Sequence, residues 1–260
     1  MQLTRDLTGA IALVVYYIIF VSAIAGLSIF ARRTGVGEHS HAVRAGSVLR
    51  ELVRKSYHVM CSTSALILIL HFRNWYAAVT AVGGIFSVGL ALMWIGGKVK
   101  SVRQISISRT AGFREIIQQA LYVQATMTIL LVVFWGILGP TYRFYVAAGL
   151  LVWGLGDAAA AVVGKRLGKK HFRCRIFDRA KTLEGMGAMI VTSFVVLVPV
   201  LVFLARASVT ASLLTAAVVA VAAGFVEATS HKGLDTLSIP IAVAALAALL
   251  APFLTGLGIP

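Results

Sequence analysis

Only nine of the 260 residues are acidic, so the place of each carboxylate is informative. Asp157 follows Trp153-Gly154-Leu155-Gly156 and precedes four alanines, deep in an apolar stretch. Glu227 lies near the end of another such stretch, and Glu184 and Asp235 flank the starts of two more. An ionised carboxylate in apolar surroundings is costly unless paired, and such groups commonly line functional cavities. Cations follow closely in the chain. Gly164-Lys165-Arg166-Leu167-Gly168 reads as a flexible cationic turn, bracketed by glycines. Arg179-Ala180-Lys181-Thr182-Leu183-Glu184-Gly185 opens a helix, where Lys181, Thr182 and the first N–H groups can take an anion. Arg54-Lys55-Ser56-Tyr57-His58 sets His58 on the face of Arg54, four residues on, where it can bind phosphate or relay a proton. A carboxylate for Mg²⁺ and cations for phosphates are what nucleotide chemistry requires. The competing readings are structural. The acids can lock helices together or simply favour helix starts, and Gly154, Gly156 and the alanines at 158–161 can serve helix packing. The basic turns can contact anionic head groups.

The elements that must position these residues follow from composition. Apolar residues make up 59% of the chain and charged ones 13%, with mean hydropathy +0.92. A soluble domain needs far more polar surface. The apolar residues come in blocks of roughly 20, enough to cross a hydrocarbon layer ~30 Å thick. Helical spans are expected at about 9–31, 56–72, 74–97, 116–139, 143–164, 185–205, 209–229 and 237–256, because a helix satisfies its own backbone where no water is available. The expectation is an all-α, polytopic transmembrane bundle of about eight spans in one membrane domain, residues 1–260. The connections at 32–55 and 98–115 are long enough for short amphipathic helices on the membrane surface.

The formal charge of +15 is unevenly placed. Twenty of the 24 Lys and Arg fall in alternate connections, at 32–55, 98–114, 165–181 and Lys232; the other side holds Arg5, Arg73, Arg143 and Arg206. Basic connections stay in the cytoplasm, so both termini are expected outside and the chemistry inside. Without interleaved aromatics the basic stretches argue against nucleic acid. Ala23-Ile24-Ala25 is a pattern signal peptidase could cut, but the apolar run continues to Phe30 and favours a retained span. Cys61 and Cys174 match no metal spacing and read as ordinary thiols. Ala and Val richness fits a high-GC bacterial genome, hence a bacterial cytoplasmic membrane.

Taken together, Gly156-Asp157-Ala158-Ala159-Ala160, Gly164-Lys165-Arg166-Leu167-Gly168 and Lys181-Thr182-Leu183-Glu184-Gly185 resemble the diacylglycerol/polyprenol kinase family, which includes dolichol, phytol and farnesol kinases and a CTP-dependent diacylglycerol kinase. Arg54-Lys55 with His58 matches the family's Arg-Lys-x-x-His, and Glu227-Ala228 with Gly233-Leu234-Asp235-Thr236-Leu237 and Pro240 matches its Glu-Ala and Asp-Asn-Leu-x-x-Pro, with Thr236 replacing the usual Asn. The resemblance covers roughly 54–240. It implies transfer of the γ-phosphate of a nucleoside triphosphate, often CTP, to a lipid alcohol (a polyprenol, phytol, farnesol or diacylglycerol) with Mg²⁺. Carried over by position, Asp157 would hold Mg²⁺ or activate the alcohol, and Glu227 and Asp235 would complete the acidic site. Lys165, Arg166 and Lys181 would neutralise the triphosphate, and Glu184 would orient Lys181 or join the metal. His58 would join Asp157, Lys181, Glu184 and Glu227 as a catalytic residue, and Arg54, Lys55, Gly156, Gly164, Gly168, Thr182 and Gly185 complete the expected nucleotide and phosphate site.

Two rivals stand beside this reading. CTP-dependent cytidylyltransferases acting on lipid phosphates share the acidic span and the Lys-Thr-x-Glu-Gly turn. They end in His-Gly-Gly-x-x-Asp-Arg-x-Asp, however, where this chain has Ser230-His231-Lys232-Gly233-Leu234-Asp235-Thr236. A transporter would need acids near the bilayer centre and a second gate, for which the outer connections are short and plain.

Overall fold

The structure, a computed structural model, describes residues 2–33, 40–96, 113–172, 174–231 and 233–256. Among these the regular structure is helical, apart from a single antiparallel bridge between His171 and Thr182. Helix α1 is Gln2–Arg33, α2 Ser40–His71 and α3 Trp75–Gly96. Helix α4, Phe113–Leu130, runs into a π-helical stretch, Leu131–Ile137. The fifth crossing begins with a 3₁₀ turn, Pro140–Tyr142. It continues as α5 (Arg143–Leu151), a π-helical turn (Val152–Gly156) and α6 (Asp157–Leu167). Helix α7 is Leu183–Pro199 with a π-helical extension Val200–Leu204, α8 is Val209–Thr229, and α9 is Asp235–Gly256.

Seven of the described helical segments are long and apolar enough to cross a membrane. The remaining crossing of the expected eight corresponds to α2, whose second half packs against α1, α5 and α6 but carries His58, Ser62, Thr63 and Ser64 in place of an unbroken apolar run. The sequence places the connection 32–55 on the membrane surface. From Ser40 onward it is instead the first half of α2, continuous to His71. No proline interrupts residues 40–71, so nothing forces the helix to stop at the polar–apolar boundary. The connection 98–112 lies outside the described residues.

Pro140–Leu167 is the core of the bundle: 67% of its apolar window is buried, against 11–44% for the other six. Val146, Ala147, Ala148, Leu150, Val152 and Trp153 have no exposed surface, whereas Ile19, Leu92, Val195 and Phe203 are well over half exposed, as lipid-facing positions must be. Proline inside α9 is accommodated by neighbours. Pro240 has no N–H to give the carbonyl of Thr236, and Thr126 Oγ1 of α4 donates to that carbonyl instead, at 3.0 Å. The proline backbone packs against Gly149, where a Cβ would lie 2.3 Å from the Pro240 carbonyl oxygen.

Contacts sort the bundle into two ends. Asp6 at the start of α1 accepts from the Arg73 N–H at 2.9 Å and from Asn74 Nδ2 at 3.2 Å. Trp75 packs on Gly136 at the end of the fourth crossing, and the Arg143 guanidinium lies over the Trp135 ring. A cavity lined by Tyr142, Arg206 and Gly256 joins the α7–α8 connection and the end of α9 to that same end. Arg73, Arg143 and Arg206 therefore share one end with the start of α1. The acids at 157, 227 and 235 belong to the other.

Candidate active site

Two ion-paired clusters form at the second end. The first joins α2 to the start of α6. Lys55 and His58 lie about one turn apart on α2, and Lys55 Nζ donates to Asp157 Oδ2 while His58 Nδ1 meets the same oxygen at 3.0 Å. All three side chains are buried. Close approach of the helices makes this possible. A Cβ on Gly154 would sit 2.0 Å from Ser62 Oγ and 2.8 Å from the His58 carbonyl oxygen, and one on Gly156 would meet Met189 Sδ at 2.4 Å. The central crossing is π-helical just here, over Val152–Gly156, a local geometry that recurs at functional sites.

The second cluster hangs on Lys181. Its ammonium donates to the main-chain carbonyl of Glu227, lies 3.0 Å from Glu227 Oε1 and 3.9 Å from Asp235 Oδ2. Glu227 Oε2 is buried with no hydrogen-bond partner. The loop carrying Lys181 is tied down by its own backbone: Asp178 N–H donates to the Ala228 carbonyl, Lys181 N–H to the Asp178 carbonyl, and Asp178 Oδ1 accepts from Ala180 N–H. Asp178 is thus a turn residue. Thr182 caps α7 by accepting from the Gly185 N–H at 3.1 Å.

The expected site residues are placed unevenly. Gly164 and Gly168 do not form a flexible turn, because α6 continues to Leu167. Added Cβ atoms would meet Thr182 Oγ1 at 3.1 Å from Gly164 and Thr182 Cγ2 at 2.7 Å from Gly168, so both glycines let the α7 start pack closely. Gly185 is as tight, its added Cβ 3.0 Å from the Ala160 carbonyl oxygen. Lys165 and Arg166 are exposed in the last turn of α6. Glu184 Oε2 accepts from the Lys170 N–H at 3.4 Å and so braces the loop. Arg54 is on α2, and its side chain lies outside the described residues.

No three His, Cys, Asp or Glu side chains among the described residues group closely enough to hold a metal by themselves. Glu227 and Asp235 nevertheless converge on Lys181, and one Glu227 oxygen is unpartnered. Mg²⁺ bound through phosphates takes only one or two protein carboxylates, so this pair fits the ion with a nucleotide. Asp157 Oδ2 is already committed to Lys55 and His58.

One neighbour escapes a reading based on charge. Trp153, fully buried one turn before Asp157, stacks on the His58 ring with centroids 4.9 Å apart. The i, i+4 spacing of Trp153 and Asp157 was the available signal.

Fold and site together define an all-helical, multi-pass membrane protein with its buried charges gathered at one end. Among known proteins, it is 27% identical over 197 residues to the phytol kinase of Synechocystis sp., a match covering 76% of this chain and 78% of that one. The resemblance to the polyprenol and phytol kinases that the motifs carry is borne out by this relative. No family model and no solved structure matches the chain.

Proposed function

We propose that the protein is a membrane kinase that transfers the γ-phosphate of a nucleoside triphosphate, CTP in the first instance, to a prenyl alcohol such as phytol, at the cytoplasmic face. The observation that carries this reading is the similarity to a phytol kinase over 76% of the chain. An aligned stretch of 197 residues in a chain of 260 necessarily includes Asp157, Lys181 and Glu184. Physical logic supports it independently. Phosphoryl transfer depends on positioning and on countering charge at the phosphate oxygens. Within one helix, α6, the chain passes from buried Asp157 to exposed Lys165 and Arg166, an axial rise of about 12 Å. An alcohol held in the bilayer and a nucleotide in water can therefore meet along it.

In this reading Lys55 and His58 hold the Asp157 carboxylate, which accepts a hydrogen bond from the substrate hydroxyl and takes its proton as the alcohol oxygen bonds to the γ-phosphorus. The bond from that phosphorus to the β,γ-bridging oxygen breaks, and the nucleoside diphosphate leaves. Lys165, Arg166 and Lys181 bind the triphosphate oxygens. Glu227 and Asp235 would hold Mg²⁺, which when bound lowers the charge on the phosphates.

The test is transfer of label by purified protein with Mg²⁺ and a panel of phytol, farnesol, polyprenols, diacylglycerol and phosphatidate, using CTP or ATP labelled at the γ- or α-phosphate. Label in the lipid from the γ position, at least 100-fold lower in Asp157→Asn, is expected. Label from the α position would make the protein a cytidylyltransferase and overturn the proposal; no label from either donor would also overturn it.

A further inference from the structure

Trp153 has no place in the charge scheme, yet it is built into the cluster. It has no exposed surface, and its indole faces the His58 imidazole at 4.9 Å between centroids with 27° between planes. The ring nitrogen Nδ1 that meets Asp157 Oδ2 belongs to the same imidazole. A histidine side chain turns about its terminal torsion in broad wells, so a single hydrogen bond leaves the ring plane loosely held. An aromatic face at stacking distance restricts that torsion. The supporting element is equally constrained: Trp153 and Asp157 share the π-helical turn and its end, and Gly154 between them touches Ser62, one turn beyond His58.

We infer that Trp153 is a positioning residue: by stacking on His58 it fixes the imidazole plane, and through it the orientation of the Asp157 carboxylate toward the substrate hydroxyl. This deepens the kinase reading and rests on it. The aromatic face is the operative feature, because the indole N–H has no hydrogen-bond partner. Phenylalanine should therefore replace tryptophan, and leucine should not.

The experiment compares Trp153→Phe and Trp153→Leu in the labelled-phosphate assay, each alone and with His58→Asn, alongside thermal unfolding in detergent. Trp153→Phe is expected to keep kcat within about threefold. Trp153→Leu is expected to lower kcat at least 20-fold, with nucleotide KM changed less than twofold and less than a twofold further loss when added to His58→Asn. Equal losses for Phe and Leu, or a full additional loss in the His58→Asn background, would reduce Trp153 to packing and overturn the inference. A readout independent of turnover accompanies this one: tryptophan emission of the wild type and of Trp153→Phe, each with and without His58→Leu. Emission that changes on removing His58 only when Trp153 is present supports the stack even if no lipid is phosphorylated, which separates failure of the kinase reading from failure of this one. Emission indifferent to His58 would count against the stack.

Discussion

Asp157 is addressed by a lysine and a histidine through one oxygen, and that arrangement sets what its removal will do. Taking one partner from a buried ion pair strands the other and typically costs about 3–5 kcal/mol, whereas replacing both by apolar groups of similar size is often neutral. Lys55→Ala is therefore expected to lower the unfolding temperature in detergent sharply. Lys55→Met combined with Asp157→Leu should recover most of that stability with no phosphoryl transfer. Recovery of both would show that the pair is only a helix lock. Candidacy of these residues was legible in the sequence, since a lysine, a histidine and an acid in apolar surroundings are conspicuous. Their partnership was not: Lys55 and Asp157 are 102 positions apart, and no spacing rule relates residues on separate helices. Trp153 was missed because a tryptophan in an apolar run reads as ordinary core. Glu184 is close to Lys181 in sequence, while the hydrogen bond its carboxylate accepts comes from the Lys170 N–H.

Helices meet here through missing side chains. Gly154→Ala would place a methyl 2.0 Å from Ser62 Oγ, 2.4 Å from Ser62 Cβ and 2.8 Å from the His58 carbonyl oxygen of α2; Ser62 can turn its hydroxyl, but its Cβ and the His58 carbonyl cannot yield without moving the helix. Such overpacking costs about 1–3 kcal/mol, and it should also displace His58, so both unfolding temperature and phosphoryl transfer are expected to fall. Gly84, with nothing within 4 Å of an added Cβ, is the control, and Gly84→Ala should leave the unfolding temperature unchanged or raise it by the equivalent of about 0.5–1 kcal/mol. Thr182→Val tests the cap on α7; losing the bond to the Gly185 N–H should cost about 1 kcal/mol. Most spans were readable from hydropathy, and 209–229 coincides with α8. Helix α2 was the hardest, because its membrane half buys polarity for the site at the expense of the apolar signal. The π-helical stretches left no mark in the sequence: residues 131–137, 152–156 and 200–204 are as apolar as the α-helical turns beside them.

At the scale of the whole molecule, Arg73, Arg143 and Arg206 cluster with the start of α1, while Lys55, Lys165, Arg166 and Lys181 lie at the opposite end. Charge asymmetry of this kind orients a membrane protein with its basic end in the cytoplasm, and a kinase using cytoplasmic nucleotide needs that orientation. Cys174 and Arg206 are exposed at opposite ends, and Cys61 lies part-buried within α2. A membrane-impermeant maleimide should therefore label Cys174 in inverted vesicles and not in intact cells. With Cys174 replaced by serine, Arg206→Cys should reverse the pattern. Labelling of both from one side would break the two-ended arrangement. Reversal with Cys174 labelled from outside would keep the fold but put Lys181 and its carboxylates on a face without nucleotide, and the kinase proposal could not survive that result. On the kinase reading the orientation and the chemistry stand or fall together, because the basic connections expected to set which way the bundle inserts are also those proposed to supply cations to the phosphates.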